Sequence, residues 1–331
     1  MTRPYATATV PERLAELSAR LGRCPDLDVL VETSLRGLDE LFGFRHSILL
    51  LLDDDHTRLH TLASHGYDVE GVGSEIRLGE GIIGMSAARS APMRVGTLQK
   101  MLGYARRVRR AFEEEGVEAP GSEIALPGLP AAESQLAVPA MVLGELVGVL
   151  GVESEDQLAF TDEDEALLAV VATLIASAIE IDGAHERAEC ERGDDPVPAR
   201  GRARDRAVPS AAPVVSQTSE PTTHIRFFES DGSTFVDGDY LIKGVPGRIL
   251  RALLTRREAE GREEFTNREV RLDRSLELPE YRDNLESRLI LLKRRLDERS
   301  VPVRIEKTGR GRFRLLVSTR VTLECVTREG P

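Results

Sequence analysis

Tryptophan is missing from the 331 residues, and aromatics make up only 4% of them, so a core has to be built from Leu, Val, Ile and Ala. Cysteine is almost missing too. Cys24, Cys190 and Cys325 lie far apart and fit no metal spacing, which points to a reducing compartment and a cytoplasmic protein. No apolar run approaches the roughly 18 residues that a bilayer crossing needs. No basic-then-apolar leader opens the chain, so no membrane partner is expected. Catalytic signatures are absent as well. His46, His56, His60, His65, His185 and His224 form no zinc motif, and no GxSxG, HExxH or Walker loop occurs. The chain therefore does not read as an enzyme, and no cofactor is named by any motif. His46 and His60 sit on neighbouring predicted strands and could together face a pocket and hold haem or iron. A strand histidine is more commonly just packed or solvated.

What is present is charge, unevenly divided. Residues 1–182 carry 30 carboxylates against 15 basic side chains, and residues 224–331 carry 19 against 23. Only the C-terminal part has the sign to meet a polyanion.

The most informative stretch runs from Asp283 to Val317. Leu285, Leu289, Leu292 and Leu296 recur at three and four residues and predict one apolar helical stripe. Arg288, Arg295 and Arg299 project onto a second stripe beside it. Val301 to Ile305 alternates as a strand, Thr308-Gly309-Arg310-Gly311 reads as a turn, and Arg312 to Val317 returns as a second strand. A basic helix followed by a basic-tipped hairpin is a layout that can place a helix in a major groove and a hairpin on phosphates. The plainer alternative is a solvated face on a small α+β domain.

Those residues resemble the C-terminal winged helix of response regulators of the OmpR/PhoB type. The recognition-helix pattern of that family is matched by Leu289, Leu292, Lys293, Arg294, Arg295 and Leu296, and the wing pattern by Thr308, Gly311, Phe313 and Arg314. The resemblance implies a double-stranded DNA partner, with Arg288, Leu291, Lys293, Arg294, Arg295 and Arg299 on the helix and Arg310, Arg312 and Arg314 on the wing as contacts. Leu291 departs from the family, which usually carries a polar or basic residue there. Leucine can touch a thymine methyl but cannot donate to a base. An adaptor that docks on a protein through Ile290 and Leu291 is therefore the alternative function.

Taken in order, Pro11 to Leu21 and Asp26 to Phe42 read as two amphipathic helices, the second ended by Gly43. Phe44 to Leu52 and Arg58 to His65 form a predicted hairpin around Asp53-Asp54-Asp55, which reads as a solvated turn and not a calcium loop. Glu75 to Leu78, Gly79-Glu80-Gly81, a helix from Ile82 to Arg89 and a strand from Met93 follow. With Leu136 to Ser154 and the acidic helix start at Thr161, this order resembles a GAF domain from about Asp26 to Ile181. The resemblance implies a six-stranded antiparallel sheet with helices on one face and a small-molecule pocket on the other. Its position in the pattern makes Ile83, Met85, Tyr104, Val138 and Val152 the candidate pocket residues, although ordinary core is the plainer reading.

Residues 99–133 are an insertion in that pattern, with a possible helix from Lys100 to Glu118. Gly183 to Thr223 lacks any hydrophobic period and reads as a disordered linker. The expected organisation is thus α+β throughout: an N-terminal tail and helix (1–25), a GAF-like sensory domain (26–182), a linker (183–223), a winged-helix domain (224–320) and a tail (321–331). A homodimer and a small-molecule effector are the expected companions.

Overall fold

The computed structural model describes residues 8–98, 124–192, 222–276, 278 and 284–326. Tyr104, the expected 100–118 helix, residues 193–221 of the expected linker, and Pro279 and Tyr281 of the loop expected before the Leu285 helix lie outside the described residues.

The first part is built on one antiparallel sheet of six strands: β1 (His46–Leu52), β2 (Arg58–His65), β3 (Glu75–Arg77), β4 (Met93–Val95), β5 (Ser134–Val142) and β6 (Glu145–Ser154), in the order β3-β2-β1-β6-β5-β4. The alternation of side chains divides the strands between two cores. On one face Leu49, Leu51, Leu136, Val138, Leu150 and Val152 pack beneath helices α2 (Leu27–Gly37) and α4 (Asp162–Arg192), and α1 (Val10–Leu21) packs on α2. On the other, Ile48, Leu50, Ala137 and Val149 pack beneath the short α3 (Gly81–Arg89).

Local chemistry sets the helix ends. The Asp26 carboxylate accepts from Val29 N at 3.0 Å and caps α2, and Gly43, at φ 84°, closes the π-turn Leu38–Phe42 that continues it. Thr161 and Asp164 cap α4 reciprocally, through Thr161 N to Asp164 at 2.8 Å and Asp164 N to Thr161 Oγ1 at 3.3 Å. Gly84 is required by close packing. A Cβ there would lie 2.3 Å from the Arg77 carbonyl oxygen, so α3 could not sit against β3.

The C-terminal part has two small sheets and three helices. Strands β7 (Thr222–Phe228), β8 (Thr234–Val236) and β9 (Asp239–Ile242) lead into α5 (Val245–Glu260), β10 (Glu264–Thr266) and α6 (Asn267–Arg271). Helix α7 (Leu285–Glu298), the hairpin β11 (Val303–Gly309) and β12 (Arg312–Val317), and β13 (Arg320–Val326) complete it. The sheet orders are β13-β7-β8-β9 and β10-β12-β11.

Three expectations need correction. The expected tail does not begin at Val321, because β13 pairs in parallel with β7 from Arg320–Thr222 to Val326–Phe228. The linker does not start at Gly183, because α4 runs on to Arg192. Finally, Asp162–His185 is one helix long and apolar enough to cross a membrane by length and composition, contrary to the reading that no run comes near. Its Leu168, Val171, Ile175 and Ile179 are packed in the core, where each contributes about 1.5–3 kcal/mol of burial. Ala166 to Ile179 carries no charge, and its polar breaks are only Thr173 and Ser177.

Candidate nucleic-acid interface

Helix α7 starts at Asn284, whose side chain accepts from Ser287 N at 3.0 Å. Leu285, Leu289, Leu292 and Leu296 form the buried stripe that the spacing predicts. The basic residues beside them do not behave alike.

Arg295 is 6% exposed. Its guanidinium donates to the Leu241 carbonyl at 2.8 Å and meets Glu298 at 2.7 Å, so it ties α7 to β9. The expectation that it faces DNA is corrected: the stripe projected from helical period passes over β9, and a strand carbonyl takes the donor. Leu291 is also corrected. It is buried and lines the space between the two parts of the molecule. Ile290, the other apolar residue of the adaptor reading, is buried as well.

The remaining cations of α7 reach carboxylates, several of them on the N-terminal part. Arg288 pairs with Asp54, in the turn between β1 and β2. Lys293 donates to Asp28 at 2.6 Å, and Arg294 Nε donates to the same carboxylate at 2.8 Å. Burial alone would raise the Asp28 carboxyl, but Arg294 and Lys293 outweigh it and hold the group below its ordinary value. Arg299 pairs within its own part, with Asp239 at 2.6 Å. Two backbone groups also bond across the same seam. Asn284 Nδ2 donates to the Ile179 carbonyl at 2.8 Å, and Gly71 N donates to Glu298 at 2.8 Å.

On the hairpin, Arg310 and Arg312 are exposed, and Arg314 pairs with Glu264 on β10. Beneath the hairpin lies a polar set that the sequence reading missed. Glu286, 7% exposed, accepts from Asn267 Nδ2 at 3.0 Å and pairs with Lys307, which also lies 3.8 Å from Asp26. Glu286 sits three residues before Leu289, on the buried side of an otherwise amphipathic helix, and that position was the available signal. A cavity of about 510 Å³ lies between the two parts, lined by Asp53, Arg58, His60, Tyr240, Lys243 and Arg248, among others.

The expected effector pocket is redrawn. Val138 and Val152 are wholly buried in the core under α2 and α4, whereas Ile83 and Met85 belong to α3 on the opposite face of the sheet. Strand parity therefore prevents these four from lining one pocket. The polar side chains on the α3 face sit at the strand ends. His46 pairs in register with Glu153 and has its ring 5.5 Å from that of Tyr67. Glu153 accepts from Gln135 Nε2 at 3.1 Å and Leu129 N at 2.8 Å. Burial raises its carboxyl, and burial together with Glu153 raises the Tyr67 hydroxyl. His60 pairs with Leu51 in register and so lies on the other face from His46. The two histidines cannot share a metal, and no group of three or more potential ligands occurs among the described residues.

The family model described as GAF domain matches residues 24–180, just under half of the chain. Similar solved structures include the GAF domain of a phosphoenolpyruvate-protein phosphotransferase from Coxiella burnetii, with 21% identity over 54% of this chain and 95% of that one and a TM-score of 0.39. The free methionine-R-sulfoxide reductase of Neisseria meningitidis, in complex with its substrate, is 19% identical over 51% of this chain and 86% of that one, TM-score 0.39. The A. aeolicus nlh2 GAF domain in an inactive state is 18% identical over 52% and 95%, TM-score 0.39. No curated protein matches the chain.

Proposed function

We propose, from the premise that residues 24–180 form a GAF domain with a signal-sensing role, that the chain is a cytoplasmic transcription regulator. In this reading the GAF domain responds to a small molecule or a partner, and the C-terminal part is a winged helix that binds double-stranded DNA. The observation that carries it is the order of α5, β10, α6, α7 and the hairpin β11–β12, with β10 added to the hairpin as a third strand and basic residues gathered on α7 and the hairpin. No catalytic step is assigned to the chain. The effector would meet the α3 face of the sheet, where His46, Tyr67, Gln135 and Glu153 offer both donors and acceptors.

A homodimer is part of the proposal. Val170, Leu174 and Ile181 are exposed along α4 at helical spacing, and an apolar stripe of that kind is the natural seat of a second copy.

The test is binding of the full chain to random duplex DNA across a salt series. Affinity should fall steeply with salt, and Arg310→Ala and Arg312→Ala should each flatten the log–log slope by about one unit. A slope unchanged by both substitutions overturns the assignment of the hairpin to phosphates.

A further inference from the structure

The cations offered for DNA on α7 are already occupied. Arg288, Lys293 and Arg294 meet Asp54 and Asp28, and both carboxylates belong to the GAF domain. These contacts sit on the stretch of α7 that would have to lie in a major groove, with the first turn of α2 and the β1–β2 turn in the way. A helix enters that groove only when its outward face is free. From this we infer that the GAF domain is a competitive occupant of the DNA-binding helix: Asp28 and Asp54 stand where phosphates would stand, and DNA binds only after the two parts separate. The inference rests on the DNA reading given above.

Two physical points support a releasable latch. First, the carboxylates are tethered to the cations they meet. Their effective concentration is on the order of millimolar, far above that of any operator, so the closed arrangement competes well without being tight. Second, Asp28 lies in the first turn of α2, two residues after the Asp26 cap. The positive end of that helix supports its charge whether or not Lys293 and Arg294 are present, which lowers the cost of letting them go. Buried apolar side chains, Leu291 among them, also meet at the seam, but its polar contacts are ion pairs and single hydrogen bonds, including Asn284 to Ile179 and Gly71 to Glu298, which re-form in water.

The same logic accounts for the acidic excess of the front domain. Its 30 carboxylates against 15 basic side chains repel a duplex approaching the closed molecule and attract the basic helix that closes it.

The experiment compares the full-length chain with the Asp28→Asn/Asp54→Asn double variant on a labelled random duplex at low and moderate salt. A charge-matched control, Asp68→Asn/Glu155→Gln, removes two exposed carboxylates elsewhere on the GAF domain. The inference predicts about tenfold tighter binding by the latch variant and no more than about a twofold gain by the control, in line with three partly buried ion pairs being lost. Equal binding by wild type and latch variant, or an equal gain in the control, overturns the latch and leaves the DNA reading standing. No binding by any of the three at low salt overturns the DNA reading itself, and the latch with it. Hydrogen exchange at Gly71 then still reports whether Asp28 and Asp54 hold the two parts together.

Discussion

Against its own domain, α7 is held by buried leucines and by a guanidinium that reaches a backbone carbonyl. Against the GAF domain it is held by ion pairs on partly exposed side chains, beside buried apolar residues such as Leu291. The inner contact is chemically suited to permanence and the outer one to exchange. Arg294 and Arg295 are neighbours in sequence and make the point at single-residue scale. Arg295 points inward to Leu241 and Glu298, and Arg294 points across the seam to Asp28. A run of basic residues on a helix is thus not one patch. Each residue goes where the nearest element supplies an acceptor.

The sharpest way to break the inner contact is Leu292→Ala. Leu292 is fully buried, and the loss should be about 2–5 kcal/mol of unfolding free energy by urea titration. Arg295→Ala should follow at about 3 kcal/mol, because Glu298 loses its cation and the Leu241 carbonyl its guanidinium donor. A loss under about 0.5 kcal/mol would place Arg295 among the exchangeable contacts after all.

His60 probes the seam by pH. Burial, and next the Arg288 guanidinium, pull it down to about 4 from its ordinary 6.5, while Asp53 acts in the opposite direction. An imidazole held neutral binds fewer protons folded than unfolded between those values. Stability from this group is therefore complete above about pH 6.5 and declines as pH falls toward 4. His60→Gln should flatten that part of the stability profile, and an unaltered profile would show that other groups set it.

The outer contact should respond least. Asp28→Asn is expected to lower global stability by only about 1 kcal/mol while changing how readily α7 is exposed. A loss several times larger would mean that the seam is part of the permanent core.

Much of this arrangement was legible beforehand. The helix ends at Gly43 and Thr161 and the helix–hairpin order from Leu285 to Val317 follow from period and turn chemistry, and the six-stranded antiparallel sheet follows from the GAF resemblance. The failures have a common cause. Val138 and Val152 were assigned to a pocket by their place in a pattern, yet their faces are fixed by parity across a sheet whose partners come from distant strands. Strand β13 was missed because its parallel partner β7 lies about a hundred residues upstream. The pairing of Arg288 with Asp54, and of Lys293 with Asp28, joins residues more than two hundred positions apart, and helical projection carries no information about that.

The central claim is that the basic face of α7 is shut against the GAF domain by Asp28 and Asp54, and the most direct measurement of it is hydrogen exchange in the full-length chain. Peptides covering Gly66–Ser74 and Leu289–Glu298 should exchange slowly in the wild type, where Gly71 N is bonded to Glu298. In Asp28→Asn/Asp54→Asn both should speed up together, while peptides from β1 and β6 stay unchanged. Wild-type peptides that already exchange at the variant's rate, with the sheet still protected, would contradict the account.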